Sequence, residues 1–202
     1  MTRSKKIRSF VQLAEDIVGD SADVFLFFAD LCGSTAYKEI CLKQKTPDFV
    51  WISRQLIFLQ RANDLIKKYQ GVTVKTTGDG LFAYFPAITS PAEIVKCGVE
   101  IIQAFKKLKS FQNDSKIEIK ISIDFGPTYN GAVINSKFYD PIGTPVDRCA
   151  RLNSIAKNNE ILFSQQFIET TKQDMKSIYS VQPAKADLKG IGTIKYYKIL
   201  IK

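Results

Sequence analysis

The chain has 202 residues, 45% of them hydrophobic and 24% charged, with 29 Lys and Arg against 20 Asp and Glu and no histidine. That length and balance fit one globular domain with a sizeable core, and the lack of histidine excludes Ser-His and Cys-His nucleophile systems and His-based zinc sites. Chemistry must therefore run on carboxylates, Lys, Arg and bound metal, and the net charge of +9 gives a field that attracts polyanions such as nucleotides or nucleic acid.

Residues 1–22 open with Arg3, Lys5, Lys6 and Arg8 and continue from Phe10 to Val18 with helical spacing. They are read as a basic helical extension to a body at 23–202. A buried strand is predicted at 23–31, where the run Val24-Phe25-Leu26-Phe27-Phe28-Ala29 delivers Asp30. Leu31-Cys32-Gly33-Ser34-Thr35 then leads into a helix at 34–42. Thr46-Pro47-Asp48 is read as a cap and first turn of a second helix carrying an apolar stripe of Phe49, Trp51, Ile52, Leu56, Leu59, Ala62, Leu65 and Ile66 and ending at Gln70-Gly71.

Strands at 72–77 and 81–86 form a hairpin whose Gly78-Asp79-Gly80 turn presents Asp79. A helix from Pro91 to Leu108 follows, then a strand from Ile117 to Phe125 with period-two alternation, broken by Gly126-Pro127; Asn130-Gly131 offers the next tight turn. A helix at 145–156, a strand at 160–163, a helix from Gln165 and two last strands complete the order, an α+β fold with a mixed or antiparallel sheet. Cys32, Cys41, Cys97 and Cys149 lack paired zinc spacing and read as free thiols. With no bilayer-spanning apolar run and no signal-like N-terminus, a cytosolic protein without membrane contact is expected.

Asp30 and Asp79 each end or interrupt an apolar strand. A charge in that setting costs several kcal/mol unless paired or metal-bound. Two such carboxylates on strands able to lie side by side point to a shared divalent cation, and the Gly-Ser-Thr helix start after Asp30 points to phosphate. The plain alternative is that Asp30 caps a helix and Asp79 occupies a hairpin turn. A third segment, Phe138 to Leu152, holds a Gly-Thr-Pro loop followed by a helix on which Asp147 and Arg151 share a face. Alone, that spacing describes a surface ion pair worth a few tenths of a kcal/mol.

Taken together, Phe-Ala-Asp-Leu-Cys-Gly-Ser-Thr, Val-Lys-Thr-Thr-Gly-Asp-Gly and Gly-Thr-Pro-Val-Asp-Arg-Cys-Ala-Arg-Leu resemble the catalytic domain of class III nucleotide cyclases over residues 22–200. The resemblance implies a ferredoxin-like domain with a palm-like sheet, acting as a head-to-tail homodimer with composite active sites. It implies that Asp30, Asp79 and the Leu31 carbonyl hold two Mg2+ or Mn2+ ions. The backbone of Cys32, Gly33, Ser34 and Thr35 would bind phosphate, Lys75 and Asp140 would read the base, Arg151 would stabilise the transition state, and Lys189 would grip the terminal phosphates. Asp147 stands where most of the family has Asn; a carboxylate accepts from a ribose hydroxyl or from Arg151 but cannot donate.

Lys75 with Asp140 usually accompanies adenine in that family, yet the same donor and acceptor also suit cytosine and uracil. The stretch from Pro47 to Gln55 resembles the stand-alone pyrimidine cyclases of bacterial Pycsar antiphage systems, with Trp51 placed to narrow a purine-sized pocket. The expectation is UTP or CTP ahead of ATP, no nucleic-acid partner, and a cyclic product read by a separate cyclic-nucleotide-binding effector. Two rival readings remain open: a cyclase-like module that only binds nucleotide or RNA, and a relative of palm-type polymerases or diguanylate cyclases.

Overall fold

A computed structural model of the chain describes residues 9–11, 14, 18–106, 108, 116–131, 138–171 and 179–201. In chain order the elements are β1 (Ala22–Leu31), α1 (Ser34–Lys43), α2 (Phe49–Lys68), β2 (Val72–Thr76), β3 (Gly80–Pro86), α3 (Pro91–Lys106), β4 (Ile119–Asn130), β5 (Pro141–Ile142), α4 (Thr144–Ile155), β6 (Glu160–Ser164), α5 (Gln165–Thr170), β7 (Gln182–Leu188) and β8 (Gly192–Leu200). The strands align as β2-β3-β1-β4-β6-β8-β7, with β5 paired to β4 off that path. The β4–β6 pair is parallel and the others are antiparallel. The first four strands with α2 and α3 form a ferredoxin-like unit, and β6, β7 and β8 extend its sheet.

Period-two alternation along β1 divides the molecule. Phe25, Phe27, Ala29 and Leu31 face α2 and α3 and pack with Phe58, Ala62, Ile66, Ile101 and Phe105 in the main core. The intervening Val24, Leu26 and Phe28 face the other way, onto Cys149 of α4 and Phe82 of β3. Asp30 is in phase with that second set, so its carboxylate emerges on the α4 face. On β4, Ile119, Ile121 and Ile123 belong to the main core, which leaves Lys120, Ser122 and Asp124 beneath α4. Cys149 bonds there to Ser122, whose Oγ donates to the Cys149 carbonyl at 2.8 Å. All four cysteines are free thiols.

Several expectations shift. The helical extension at 1–22 falls largely outside the described residues. Gly126-Pro127 does not end β4, which runs on to Asn130. Gly126 takes φ 158°, and among the described residues β4 has a partner only in β1 between Ile123, where the β6 ladder ends, and Tyr129, where β5 pairs, so the missing N–H of Pro127 is tolerated as on an edge strand. Asn130-Gly131 is no two-residue turn either, because Gly131 N–H continues the pairing to the Asp140 carbonyl at 2.7 Å.

In α2 the buried face is Arg54, Phe58, Ala62 and Ile66, one residue in every four. Phe49, Ile52 and Leu56, expected in the core, are exposed. Nor does Thr46 cap this helix: Asp48 precedes it and accepts from the Trp51 indole N–H at 3.1 Å. Phe58, fully buried and edge-on to Phe105 at 5.6 Å, joins α2 to α3 under the sheet. Phe58→Ala is expected to cost about 3–5 kcal/mol, seen as a lower urea midpoint with an unchanged slope of the transition.

Candidate active site

Antiparallel pairing sets Asp30 opposite Gly80, and Asp79 immediately precedes that glycine, so both carboxylates meet at one end of the sheet. Gly78, at φ 77°, makes the turn that presents Asp79. The turn is closed by Thr77 N–H to the Gly80 carbonyl at 2.8 Å and tied to α2 by Gln55 Nε2 donating to the Gly78 carbonyl at 2.7 Å. Gly80 is required for space: a Cβ there would lie 2.7 Å from Asp30 Oδ1 and 2.9 Å from the Ala29 carbonyl oxygen.

Burial pushes the Asp30 carboxyl above its ordinary value of 3.8, and the nearby charge of Asp79 adds to that. The opposing influence is Lys120, directly across from Asp30 on β4, whose Nζ lies 2.9 Å from Asp30 Oδ2. Sequence reading missed Lys120. Its signal was present in the alternation of Ile117, Ile119, Ile121 and Ile123 with Glu118, Lys120, Ser122 and Asp124: a central strand with a polar second face needs polar partners.

The two carboxylates are hard oxygen donors of the kind that Mg2+ and Mn2+ take, and the residues that would hold such an ion are Asp30 and Asp79 with the Leu31 carbonyl as the expected third donor. Ser34 Oγ donates to Asp79 Oδ2, and Gly33, at φ 67°, turns the chain into α1, which has no side-chain cap. The N–H groups of Ser34 and Thr35 open that helix without intrahelical acceptors, a ready anion site. Cys32 differs from expectation: its N–H is already bonded to the Glu118 carbonyl at 2.9 Å.

Lys75 and Asp140, far apart in sequence, meet: Lys75 Nζ lies 2.9 and 2.7 Å from Asp140 Oδ1 and Oδ2. A bulge in β2 between Thr73 and Lys75 re-aims the lysine. Asp140 is held by its N–H donating to Asn130 Oδ1 at 3.1 Å. Beside it Tyr139 packs edge-on to Tyr84 at 5.3 Å and shares a 2.7 Å hydrogen bond with Thr128 Oγ1.

Within one chain Trp51 does not join that pair. It lines a cavity of about 280 Å3 with Leu31, Ser34, Thr35, Gln55 and Asp79, with Lys38 Nζ 4.4 Å from its ring centre. Asp147 and Arg151 are both exposed on the outer side of α4 and form no ion pair with each other. Lys189 is exposed in the β7–β8 turn, formed by Ile191 N–H to the Leu188 carbonyl at 2.9 Å.

The register fixes where that turn lies. Asp30 pairs with Lys120 near the start of β4, Ile121 with Ile161 near the start of β6, Glu160 with Leu200 at the end of β8, and Gln182 with Lys198. The Lys189 turn is therefore at the opposite end of the strands from Asp30.

The family model described as "Adenylate and Guanylate cyclase catalytic domain" matches residues 18–201. Among solved structures, the guanylate cyclase domain of a protein from Catenaria anguillulae in complex with GTP is 19% identical, with a TM-score of 0.73 over 91% of this chain and 99% of that one. Adenylate cyclases from Trypanosoma brucei in their monomeric state give 18% identity and a TM-score of 0.75 over 88% and 89% of the two chains. A non-canonical dimeric guanylyl cyclase domain from Blastocladiella emersonii gives 20% and 0.70 over 90% and 98%. At these identities the likeness is one of fold. No curated protein matches the sequence.

Gly80→Ala drives a methyl group into Asp30 and its own neighbour's backbone. Its Mn2+ affinity is expected to fall at least about tenfold, the scale of lost support around a metal ligand, as measured by calorimetric titration alongside a melting curve.

Proposed function

The chain belongs to the adenylate and guanylate cyclase catalytic domain family, and from that premise we propose that it converts a nucleoside triphosphate, a pyrimidine one by preference, into its 3′,5′-cyclic monophosphate and pyrophosphate at two composite sites of a symmetric homodimer. The observation that carries the reading is the division of labour within one chain. Metal carboxylates and the α1 anion site stand at one end of the sheet, while Lys189 stands at the other and Asp147 and Arg151 face outward from α4. A two-fold operation brings the second copy's outward set to the first copy's carboxylates and makes both sites whole. Phe49, Ile52 and Leu56, left exposed along α2, supply apolar surface for that contact.

Cations held by Asp30, Asp79 and the Leu31 carbonyl would supply the Lewis acidity that lowers the pKa of the ribose 3′-hydroxyl and offsets charge on the leaving pyrophosphate. Ser34 and Thr35 N–H groups bind phosphate oxygens. Lys120, beside Asp30, presents its ammonium to the same oxygens once that carboxylate is otherwise engaged. Arg151 of the second copy places a guanidinium on the charge that develops at the α-phosphorus, and its Lys189 holds the terminal phosphates. Asp147 accepts from a ribose hydroxyl, consistent with its having no bond to Arg151.

Lys75 donates to a ring nitrogen or carbonyl of the base and Asp140 accepts from an amino or ring N–H. The paired rings of Tyr84 and Tyr139 fill the sheet face beside Asp140, and Trp51 approaches from the metal-bearing copy; both favour a small base. A second reading, ATP, is favoured by the Lys75–Asp140 pair itself, which meets the adenine edge equally well. On the pyrimidine reading the product serves as a second messenger in antiphage defence, read by a separate effector.

Mixing two inactive variants tests the composite site. Asp30→Ala and Arg151→Ala homodimers should each lose turnover, Arg151→Ala by about 10²-fold in kcat, while their mixture regains activity through heterodimers holding one intact site. Confirmed subunit exchange with no regained activity would contradict the proposal. Trp51 is the one tryptophan of the chain, so its fluorescence is expected to report nucleotide binding. Trp51→Ala is expected to raise kcat/KM for ATP relative to the pyrimidine nucleotides; an unchanged ratio removes Trp51 from base selection.

A further inference from the structure

We propose that a buried network of Asp124, Arg148 and Ser164 positions α4, and through it Arg151, for the reaction in the opposing subunit's site. This rests on the composite-site reading above. Asp124 is 0% exposed on the α4 face of β4. It accepts from Arg148 Nε at 2.7 Å and Arg148 Nη2 at 2.8 Å, from Phe125 N–H at 2.7 Å, and from Ser164 Oγ. Arg148 Nη2 also reaches the Phe125 carbonyl at 3.4 Å. Ser164 simultaneously caps α5 by accepting from Phe167 N–H at 3.0 Å.

The chemistry is poorly suited to plain stability. Desolvating a carboxylate and a guanidinium offsets most of their attraction, and an apolar pair of like volume often serves a core as well or better. What the pair offers is direction. A guanidinium fork on a carboxylate fixes distance, plane and rotation together, and this fork is one residue after Asp147 and three before Arg151. At the other end of α4, Asn153 Nδ2 donates to the Phe28 carbonyl at 3.3 Å and the Lys120 carbonyl at 3.5 Å, both flanking Asp30 on the sheet. Held at two heights along its inner side, α4 resists axial rotation and slide, and Asp147 and Arg151 are exposed on its outer side. An error of about 1 Å at a charge-stabilising group costs about 10²-fold in rate, so a directional anchor suits this helix better than a greasy one. Arg148 is thus a positioning residue, and Asp124 and Ser164 hold it.

The test uses the whole 202-residue chain. Arg148→Gln is expected to lower kcat about 10- to 100-fold while KM stays within about threefold, because transition-state contact is lost and ground-state binding is not. Arg148→Lys, which keeps the charge and loses the fork, should fall between it and the parent and serves in its place should the Gln variant fold poorly. The decisive readout is rescue in trans. Mixed with Asp30→Ala chains, the Arg148 variant keeps its own metal carboxylates and receives an undisturbed α4 from its partner, so activity should recover to the level of the Asp30→Ala and Arg151→Ala mixture. A parental kcat in the Arg148 variants overturns the proposal. So does failure of their rescue when the Arg151→Ala mixture recovers, since that places the defect within the chain's own fold. Failure of both mixtures despite subunit exchange overturns the composite-site reading itself.

Discussion

Everything at the head of the sheet depends on how Asp30 is balanced. Its strand is apolar on both faces, β3 and β4 flank it, and burial lifts its carboxyl above the ordinary range. A second carboxylate, Asp79, is brought close by the Gly78 turn and adds repulsion rather than relieving it. Lys120 supplies the compensating charge from the next strand. Two acids gathered at the end of the central strand, with one lysine to balance their charge, are what the proposed cation and phosphate site rests on.

That logic was legible in part from the residues. The run from Val24 to Ala29 announces a strand buried on both faces, and the structure places Asp30 at its end with Asp79 close by. The Lys75–Asp140 pairing was indicated only through family likeness, because no local pattern joins a bulged edge strand to a loop 65 residues later. Lys120 and Asp124 lay hidden for a different reason. Alternation on β4 announced an amphipathic strand, which ordinarily means one wet face, whereas the polar face here is roofed by α4 and its polar groups are answered one by one. The same roofing misleads on α2, where Arg54 takes a core position stacked 4.3 Å over Tyr37 and donating to the Lys116 carbonyl at 3.3 Å, while Phe49, Ile52 and Leu56 face outward. An apolar stripe identifies a surface that avoids water; it does not say whether its own chain or another covers it.

The proposed symmetry answers to the register of the strands. A single chain holds every group the chemistry asks for, yet Lys189 and Asp30 occupy opposite ends of the sheet. In the proposed homodimer, two copies related by a two-fold axis resolve this without any change of fold. On the proposed composite site the buried polarity under α4 has a use: a helix that delivers Asp147 and Arg151 to a second copy is aimed by its own chain.

The most direct measurement is product analysis by mass spectrometry after incubating the purified protein with Mn2+ and each of ATP, GTP, CTP and UTP. A 3′,5′-cyclic monophosphate and stoichiometric pyrophosphate are expected, with UTP or CTP turned over faster than ATP. Cyclic AMP as the dominant product would keep the cyclase chemistry and overturn the pyrimidine preference. No cyclic product from any of the four, with nucleotide still quenching or enhancing Trp51 fluorescence, would contradict the central claim and leave a domain that binds nucleotides without transforming them.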